Sequence, residues 1–375
     1  MKFTITISSN TSWYIYNFRL SLIKRLQQKG AKIYVIAPED TYSHKLQEKG
    51  CCFVPLQIDS KSTNPLREVR VINDYRRIYA SIKPDIAIHY TPKPNIYGSL
   101  AAQFLGIPCL NNISGLGTAF IKGGFLSKVV SYLYFLSQRR VFRLFFQNSD
   151  DLGLFITSKL VPQDKAFLLP GSGVDLEKFK PCLTERKVSP LCFLLVARLI
   201  WDKGVGEFVG AARILKKDYP DVQFKLLGFV DYNNPSAVPE TQIHTWETEG
   251  IISWLGRTDD VRPFIAESTC VVLPSYREGT PKSLLEAASM GKPLITTDSI
   301  GCRQTVNDGE NGFLCQPRNI EDLAEKMERI ILMPDQEIKE MGQKGREKMI
   351  TEFDEKIVIE AYIHAINDVL IQRLK

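Results

Sequence analysis

Cys270-Val-Val-Leu-Pro-Ser275-Tyr-Arg-Glu278-Gly-Thr-Pro-Lys282-Ser-Leu-Leu-Glu286 is the stretch from which the rest of the chain can be read. Cys270–Leu273 is apolar without alternation, the pattern of a strand buried on both faces of a parallel sheet. Gly279 and Pro281 then predict a turn, and Leu284-Leu-Glu-Ala-Ala-Ser-Met290 predicts the start of a helix. A helix beginning there offers unpaired backbone N–H groups and a positive dipole end, which suit a phosphate. Glu278 and Glu286, eight residues apart, flank that anion site.

Outward from this stretch the same strand–turn–helix unit recurs. In the second half, strands are expected at 191–196, 223–227, 251–255, 270–273 and 293–297. Helices are expected at 205–217, 260–267, 283–290, 320–332 and 336–351, with a last helix at 356–372. In the first half, strands at 3–8, 32–37, 52–56, 86–89 and 109–113 alternate with helices at 17–28, 42–49, 64–82 and 95–105. Such alternation, with fully apolar strands, predicts doubly wound parallel sheets. Ligands of these sheets sit beyond the carboxyl ends of the strands. A turn-rich run, Leu169-Pro-Gly-Ser-Gly-Val-Asp175, and a linker near 180–190 divide the chain. The expected architecture is α/β, with two doubly wound Rossmann-like domains, 1–180 and 190–355, facing each other across a cleft.

The composition suits a soluble protein with large cores, at 44% hydrophobic and 24% charged residues among 375. Met1–Ser9 alternates polar and apolar residues and reads as a first strand rather than a signal peptide. The eight cysteines form no Cys-x-x-Cys pair and the four histidines no His-Glu-x-x-His motif, so zinc and redox motifs are not supported. The net charge of +6 is unevenly shared: residues 1–180 carry 24 basic and 12 acidic residues, residues 181–375 carry 24 and 30. From Ile86 to Ser149 there is no acid, while Lys93, Lys122, Lys128, Arg139, Arg140 and Arg143 are basic. That run points to an anionic partner such as a membrane surface or a diphosphate lipid, with nucleic acid as another possibility.

A second motif, Val196-Ala-Arg198-Leu-Ile-Trp-Asp-Lys203-Gly204, again joins a strand to a helix. Arg198 and Lys203 projecting from that loop suit a diphosphate, Arg as a fork and Lys as a point charge. They could also stabilise charge on a departing diphosphate. Two solvated surface cations are the plainer alternative. Ser114-Gly115-Leu-Gly117 follows a strand, and its glycines allow close backbone approach to a ligand, but it lacks the full Gly-x-Gly-x-x-Gly pattern. Phe120–Phe146 is rich in Phe, Leu, Val and Tyr. Its longest uncharged run, Val129–Gln138, is ten residues, well short of the ~20 a spanning helix needs. It is either an interfacial segment on anionic lipid or a hydrophobic helix buried in the first domain. His89 ends a strand on the ligand side, as a structural residue or a base. No Asp-x-Asp occurs in the chain, so positive side chains and a helix N-terminus take the place of a metal on a diphosphate.

With Arg198 and Lys203, the run 169–175 and the Glu278-x7-Glu286 spacing in place, the whole chain resembles the retaining glycosyltransferases of family 4, which have the GT-B fold. Its first half, through Tyr16-Asn-Phe-Arg19, Lys93-Pro-Asn-Ile-Tyr-Gly98 and Ile113-Ser-Gly-Leu-Gly117, is similar to a narrower group. That group extends bacterial undecaprenyl-diphosphate-linked glycans and includes PglA-type N-acetylgalactosaminyltransferases and O-antigen enzymes.

The resemblance implies a UDP-sugar donor, with Arg198 and Lys203 on its diphosphate, Glu278 on the sugar and Glu286 on the ribose. The backbone through Gly279, Thr280, Pro281, Lys282, Ser283 and Leu284 would meet sugar and phosphate, and the loop around Arg257 the uracil. Glu278, Arg198 and Lys203 would carry catalysis. Asn17, Lys93, Ser114, Gly115, Gly117 and Lys122 would face a polyprenyl-diphosphate-linked acceptor. Lys128, Arg139, Arg140 and Arg143 would meet an anionic membrane. The last helix, 356–375, would return to the first domain. The resemblance further implies a hexosamine donor, GalNAc or GlcNAc, no cofactor or metal, no nucleic acid, and a place on the cytoplasmic face of the membrane. Many members have a His, and PglA-type enzymes a Glu, near the position of Ser114, where serine cannot serve as an ordinary base. The implied transfer is therefore front-face, the departing phosphate oxygen taking the acceptor proton. The rival readings are a UDP-sugar 2-epimerase of the same fold and a non-catalytic sugar-nucleotide or lipid-binding protein.

Overall fold

Apolar strands need cover on both faces, and the chain supplies it with two parallel sheets, each flanked by helices. A computed structural model describes residues 3–59, 64–116, 124–181, 190–232 and 234–374. It divides into two units: Met1–Ser172 with Lys356–Lys375, and Gly173–Glu355.

Seven described strands build the first unit's sheet: β1 (Phe3–Ser8), β2 (Ala31–Ala37), β3 (Cys52–Pro55), β4 (Ile86–Tyr90), β5 (Cys109–Ile113), β6 (Arg143–Phe146) and β7 (Ala166–Leu168). They are parallel and ordered β3-β2-β1-β4-β5-β6-β7. Ile5, Ile7, Ile33 and Val35 pack on one side against Leu22 and Ile23 of the helix Ser12–Gln28 and Tyr362 and Ile366 of the helix Glu355–Leu374. Ile36, Ala87, Cys109 and Phe146 pack on the other side against Tyr75, Tyr79 and Phe155.

The first helix begins at Ser12, five residues before the expected start. Thr11 accepts from the Tyr14 amide, and Asp40, from the loop after β2, accepts from the amides of Ser12 and Trp13. A capping carboxylate 28 residues away leaves no local signal. Residues 120–146 also differ from a single amphiphilic segment. They contain the helix Gly124–Gln138, which buries Tyr134, Ser137 and Gln138 and exposes Val129, Tyr132 and Leu136. They also contain β6, whose Leu144, Phe145 and Phe146 lie inside the sheet. The helix expected at 95–105 opens instead as a π-helical turn, Pro94–Gly98, before continuing as Ser99–Phe104.

The second unit has six described strands: β8 (Cys192–Val196), β9 (Gln223–Leu227), β10 (Ser253–Trp254), β11 (Cys270–Leu273), β12 (Leu294–Thr297) and β13 (Gly312–Cys315). Their order is β10-β9-β8-β11-β12-β13, all parallel. Side-chain alternation along β8 shows the two-sided burial: Phe193 and Leu195 enter one core, Leu194 the other. The strands β6, β7 and β13 and the helix Glu240–Thr248 were not expected from the sequence. Three of these are short, and Glu240–Thr248 is mostly polar, burying only Ile243 and Trp246.

Candidate active site

In the second unit the strand order reverses between β8 and β11. Loops leaving the carboxyl ends of two such strands part in opposite directions and open a crevice, the usual ligand position of an open parallel sheet. Both motifs expected to bind the donor lie there, Arg198–Gly204 after β8 and Ser275–Glu286 after β11.

These two loops are in backbone contact. The Tyr276 amide donates to Asp202 O at 3.0 Å, and Ser275 Oγ donates to the same oxygen at 3.2 Å. Gly204, at φ 73°, has Pro274 O so near that an added Cβ would lie 2.1 Å from it. Only glycine meets both conditions. Within this frame Lys203 Nζ donates to Glu278 Oε1. Their side chains are 18% and 13% exposed, so the pair is largely desolvated. Arg198 Nη1 donates to Asp231 Oδ2 at 3.0 Å, in the loop after β9.

A third loop supports the second. The Glu278 amide donates to Ile300 O at 2.9 Å, and Gly301 packs so closely that an added Cβ would stand 2.3 Å from Glu278 O. Tyr276 is anchored independently: its hydroxyl donates to Glu207 Oε1 at 2.6 Å, and the Arg318 guanidinium lies 4.6 Å from its ring centroid. Burial, with the Glu207 carboxylate beside it, pushes the Tyr276 phenol well up.

The helix Lys282–Ser289 begins at this point with Pro281 as N-cap, no side-chain cap and no acid in its first turn. Its dipole end is therefore uncompensated by side chains. The Leu284 amide is already used, donating to Pro281 O at 3.1 Å, and the Leu284 side chain is core. Gly279, Thr280 and Lys282 make further polar contacts of their own; Ser283 is half-buried. Glu286 has Lys282 Nζ at 3.9 Å, and burial raises its pKa, opposed by Lys282 and Lys178. Arg257 is exposed, its guanidinium 5.4 Å from the Phe229 ring, and Gly256 O accepts from the Gly228 amide at 2.9 Å. Cations, the positive end of a helix and partly desolvated carboxylates thus lie on the loops after β8 and β11. They can hold a diphosphate, draw off its developing charge and grip hydroxyls of an attached sugar.

Asp231, Glu207, Ile300 and Gly301 were missed in the sequence. Gly301 had a usable signal, a glycine just beyond a predicted strand end. The others are placed only by folding.

The residues expected to meet an acceptor lie in the first unit. Asn17 Nδ2 donates to Trp13 O at 2.9 Å in the first helix. Lys93 Nζ donates to Glu68 Oε1 at 2.6 Å, both side chains being nearly buried. Ser114 and Gly115 follow β5 and are half-buried; Gly117 and Lys122 lie outside the described residues. His89 is fully buried between Tyr79 OH and Asn111 Oδ1, each at 2.7 Å, and burial lowers its pKa to about 4. It is a structural histidine, enclosed on both ring nitrogens and remote from a base's role. Lys128, Arg139 and Arg140 are exposed, whereas Arg143 is bound to Asp368 at 2.5 Å and lies over the Phe167 ring. Among the described residues no helix is long and apolar enough to cross a membrane, and no group of three His, Cys, Asp or Glu could hold a metal ion.

Known proteins share this plan. The group 1 glycosyl transferase model matches residues 184–348, and the glycosyl transferase 4-like model matches residues 4–148. The chain is 28% identical over 372 residues to N,N'-diacetylbacillosaminyl-diphospho-undecaprenol alpha-1,3-N-acetylgalactosaminyltransferase of Campylobacter jejuni, covering 95% of this chain and 96% of that one. It is 24% identical over 302 residues to the Escherichia coli UDP-Gal:alpha-D-GlcNAc-diphosphoundecaprenol alpha-1,3-galactosyltransferase, covering 77% and 76%. Among solved structures, HepE of Anabaena in complex with UDP and glucose superposes with a TM-score of 0.81 at 16% identity, covering 98% and 100%. A glycosyltransferase from Rickettsia africae superposes with a TM-score of 0.77 at 19% identity, covering 98% and 99%. The fold and the family matches thus define a glycosyltransferase with the GT-B fold. The chain belongs to the group 1 enzymes, the retaining family 4, and is related to the glycosyltransferases of undecaprenyl-diphosphate glycans.

Proposed function

We propose that this enzyme moves an N-acetylated hexosamine, GalNAc or GlcNAc, from a UDP-sugar to a saccharide carried on undecaprenyl diphosphate, with retention. The observation that carries the reading is the Lys203–Glu278 pair beside the uncapped start of the helix Lys282–Ser289. The names of two relatives specify a diphospho-undecaprenol acceptor and differ in the sugar, so the acceptor class has more support than the sugar.

On this reading Arg198 and Lys203 take the donor diphosphate, leaving Asp231 and Glu278 as they do so. Glu278, released from Lys203, accepts hydroxyls of the sugar, and Glu286 those of the ribose. The positive dipole end of the helix Lys282–Ser289 faces the phosphate, and the backbone around Arg257 holds the uracil. The bond between the anomeric carbon and the UDP oxygen breaks as the acceptor oxygen bonds to the same face of that carbon. The acceptor proton passes to the departing phosphate oxygen. Lys203, Arg198 and the helix dipole stabilise that oxygen as charge collects on it, which removes the need for a divalent metal.

The first unit receives the acceptor, with Ser114 and Gly115 toward its diphosphate. Lys128, Arg139 and Arg140, with the exposed Val129, Tyr132 and Leu136, rest on anionic lipid at the cytoplasmic face of the membrane. Incubation with a panel of UDP-sugars and undecaprenyl-diphosphate saccharides tests the reading. One N-acetylhexosamine added with α-retention is expected; inversion, or hydrolysis with every acceptor, overturns it.

A further inference from the structure

Two kinds of link join the loop after β8 to the loop after β11. One is the ion pair of Lys203 with Glu278. On the proposed reading the donor claims both of these side chains, so that link dissolves just when Glu278 must hold the sugar. The other link uses none of the side chains assigned to the donor. It is built on Tyr276, two residues before Glu278.

Tyr276 is attached at three points, each on a different segment. Its amide donates to Asp202 O at 3.0 Å, in the loop after β8. Its hydroxyl donates to Glu207 Oε1 at 2.6 Å, in the first turn of the helix Val205–Leu215. Its ring carries the Arg318 guanidinium 4.6 Å from the centroid, and Arg318 lies between β13 and the helix Ile320–Leu332. Arg318 has φ 62°, a left-handed backbone that a residue with a Cβ keeps only where its surroundings hold it. One attachment fixes a point and leaves rotation about it; three fix an orientation. Burial and the Glu207 carboxylate keep the phenol protonated well above its usual range, so the hydroxyl stays a donor at any working pH. Glu278 is thus held from two sides. On the side of β12 its amide donates to Ile300 O at 2.9 Å. On the side of β8, once Lys203 has turned away, the hold is Tyr276.

We infer that Tyr276 is a positioning residue: braced by Glu207 and Arg318, it aims Glu278 at the donor sugar after Lys203 has moved to the diphosphate. The inference rests on the proposed roles of Lys203 and Glu278. Its effect falls on the sugar alone, because UDP is held by Arg198, Lys203, Glu286 and the helix end, none of which Tyr276 supports.

Titration calorimetry of the full-length enzyme with UDP, UDP-GlcNAc and UDP-GalNAc provides the test, with kcat measured alongside. Tyr276→Phe keeps the ring beneath Arg318 and loses the hydroxyl. It is expected to weaken whichever UDP-sugar the wild type binds by about tenfold, the effect of one hydrogen bond to a charged group, while UDP stays within about twofold. The kcat should fall about tenfold as well. Arg318→Ala removes the other brace and should cost the UDP-sugar about threefold. Glu207→Ala should match Tyr276→Phe, and the double variant should be no worse than either, since both remove the same bond. Glu207→Gln keeps an acceptor oxygen and should recover most of the loss. UDP affinity falling in step with that of the UDP-sugar, or a double variant showing the product of the two losses, makes Tyr276 merely structural and overturns the role. Wild-type binding and turnover in Tyr276→Phe also overturns it, and leaves the donor reading standing. A wild type that binds neither UDP nor a UDP-sugar defeats the donor reading itself, and the role with it.

Discussion

Lys203 Nζ and Glu278 Oε1 are hydrogen-bonded to each other, which ties the loop after β8 to the loop after its neighbour β11. Each ion is largely withdrawn from water, so removing one leaves the other uncompensated. Glu278→Ala should lower kcat by roughly a hundredfold or more, the scale of losing one transition-state contact, in a protein that still folds but melts lower because Lys203 is left uncompensated. Lys203→Ala should do similar damage, and the double variant should be far less impaired than the product of the two. Steady-state release of UDP measures all three. Near-wild-type turnover of Glu278→Ala removes that residue from the mechanism.

Gly301 tests the support beneath Glu278. At φ 80°, an added Cβ would stand 2.3 Å from Glu278 O and 2.4 Å from Gly279 O, both backbone atoms. Gly301→Ala should destabilise the protein by roughly 2 kcal/mol or more and depress transfer. Gly250→Ala is the control, with φ 70° and no atom within 4 Å of the new carbon. It should cost about 1 kcal/mol and leave activity intact. Denaturant melts and initial rates separate the two effects.

His89 carries a pH dependence. Burial holds its pKa at about 4 in the folded protein, below an ordinary 6.5. The unfolded chain therefore binds its proton first as pH falls, so this contribution is complete above about pH 6.5 and is lost toward pH 4. Between pH 7.5 and 5 it should remove roughly 2 kcal/mol of stability. His89→Gln should be less stable at pH 7.5 yet lose less on acidification. Urea titrations at the two pH values check the slope; equal slopes would refute the buried-neutral assignment.

The basic residues of the first unit should divide in their effect on lipid binding. Arg139 and Arg140 are exposed, whereas Arg143 is occupied by Asp368 and the Phe167 ring. Neutralising Arg139 and Arg140 together should weaken binding to anionic vesicles about thirtyfold, at about 1 kcal/mol per charge. Arg143→Gln should leave vesicle binding nearly unchanged and lower stability instead. Vesicle sedimentation distinguishes these outcomes.

Chelation bears on how the leaving group is stabilised. With Arg198, Lys203 and a helix end supplying positive charge, EDTA should leave the rate unchanged. A large loss restored by magnesium would put a metal on the diphosphate.

Much of the proposed donor site was legible in the sequence because its signals are local. Apolar runs at 192–196 and 270–273 mark strands, the glycines after them mark turns, and the helices follow within ten residues. Arg198, Lys203, Glu278 and Glu286 could be placed from those units alone. The proposed acceptor side was less legible. Its first helix is capped by Asp40 from another loop, its Lys93 is neutralised from another helix, and the strand β6 lay hidden within a segment read as amphiphilic.

What the sequence by itself determined is the repeating strand–turn–helix unit and the residues at each strand's carboxyl end, since periodicity and turn chemistry act over a few residues. Only the tertiary structure decided the strand order. That order sets β8 beside β11 and β1 beside β4, and so brings Lys203 to Glu278 and Asn10 to Thr91. Partners 75 and 81 residues apart meet through sheet pairing and core packing, which depend on the whole buried surface and on no local pattern.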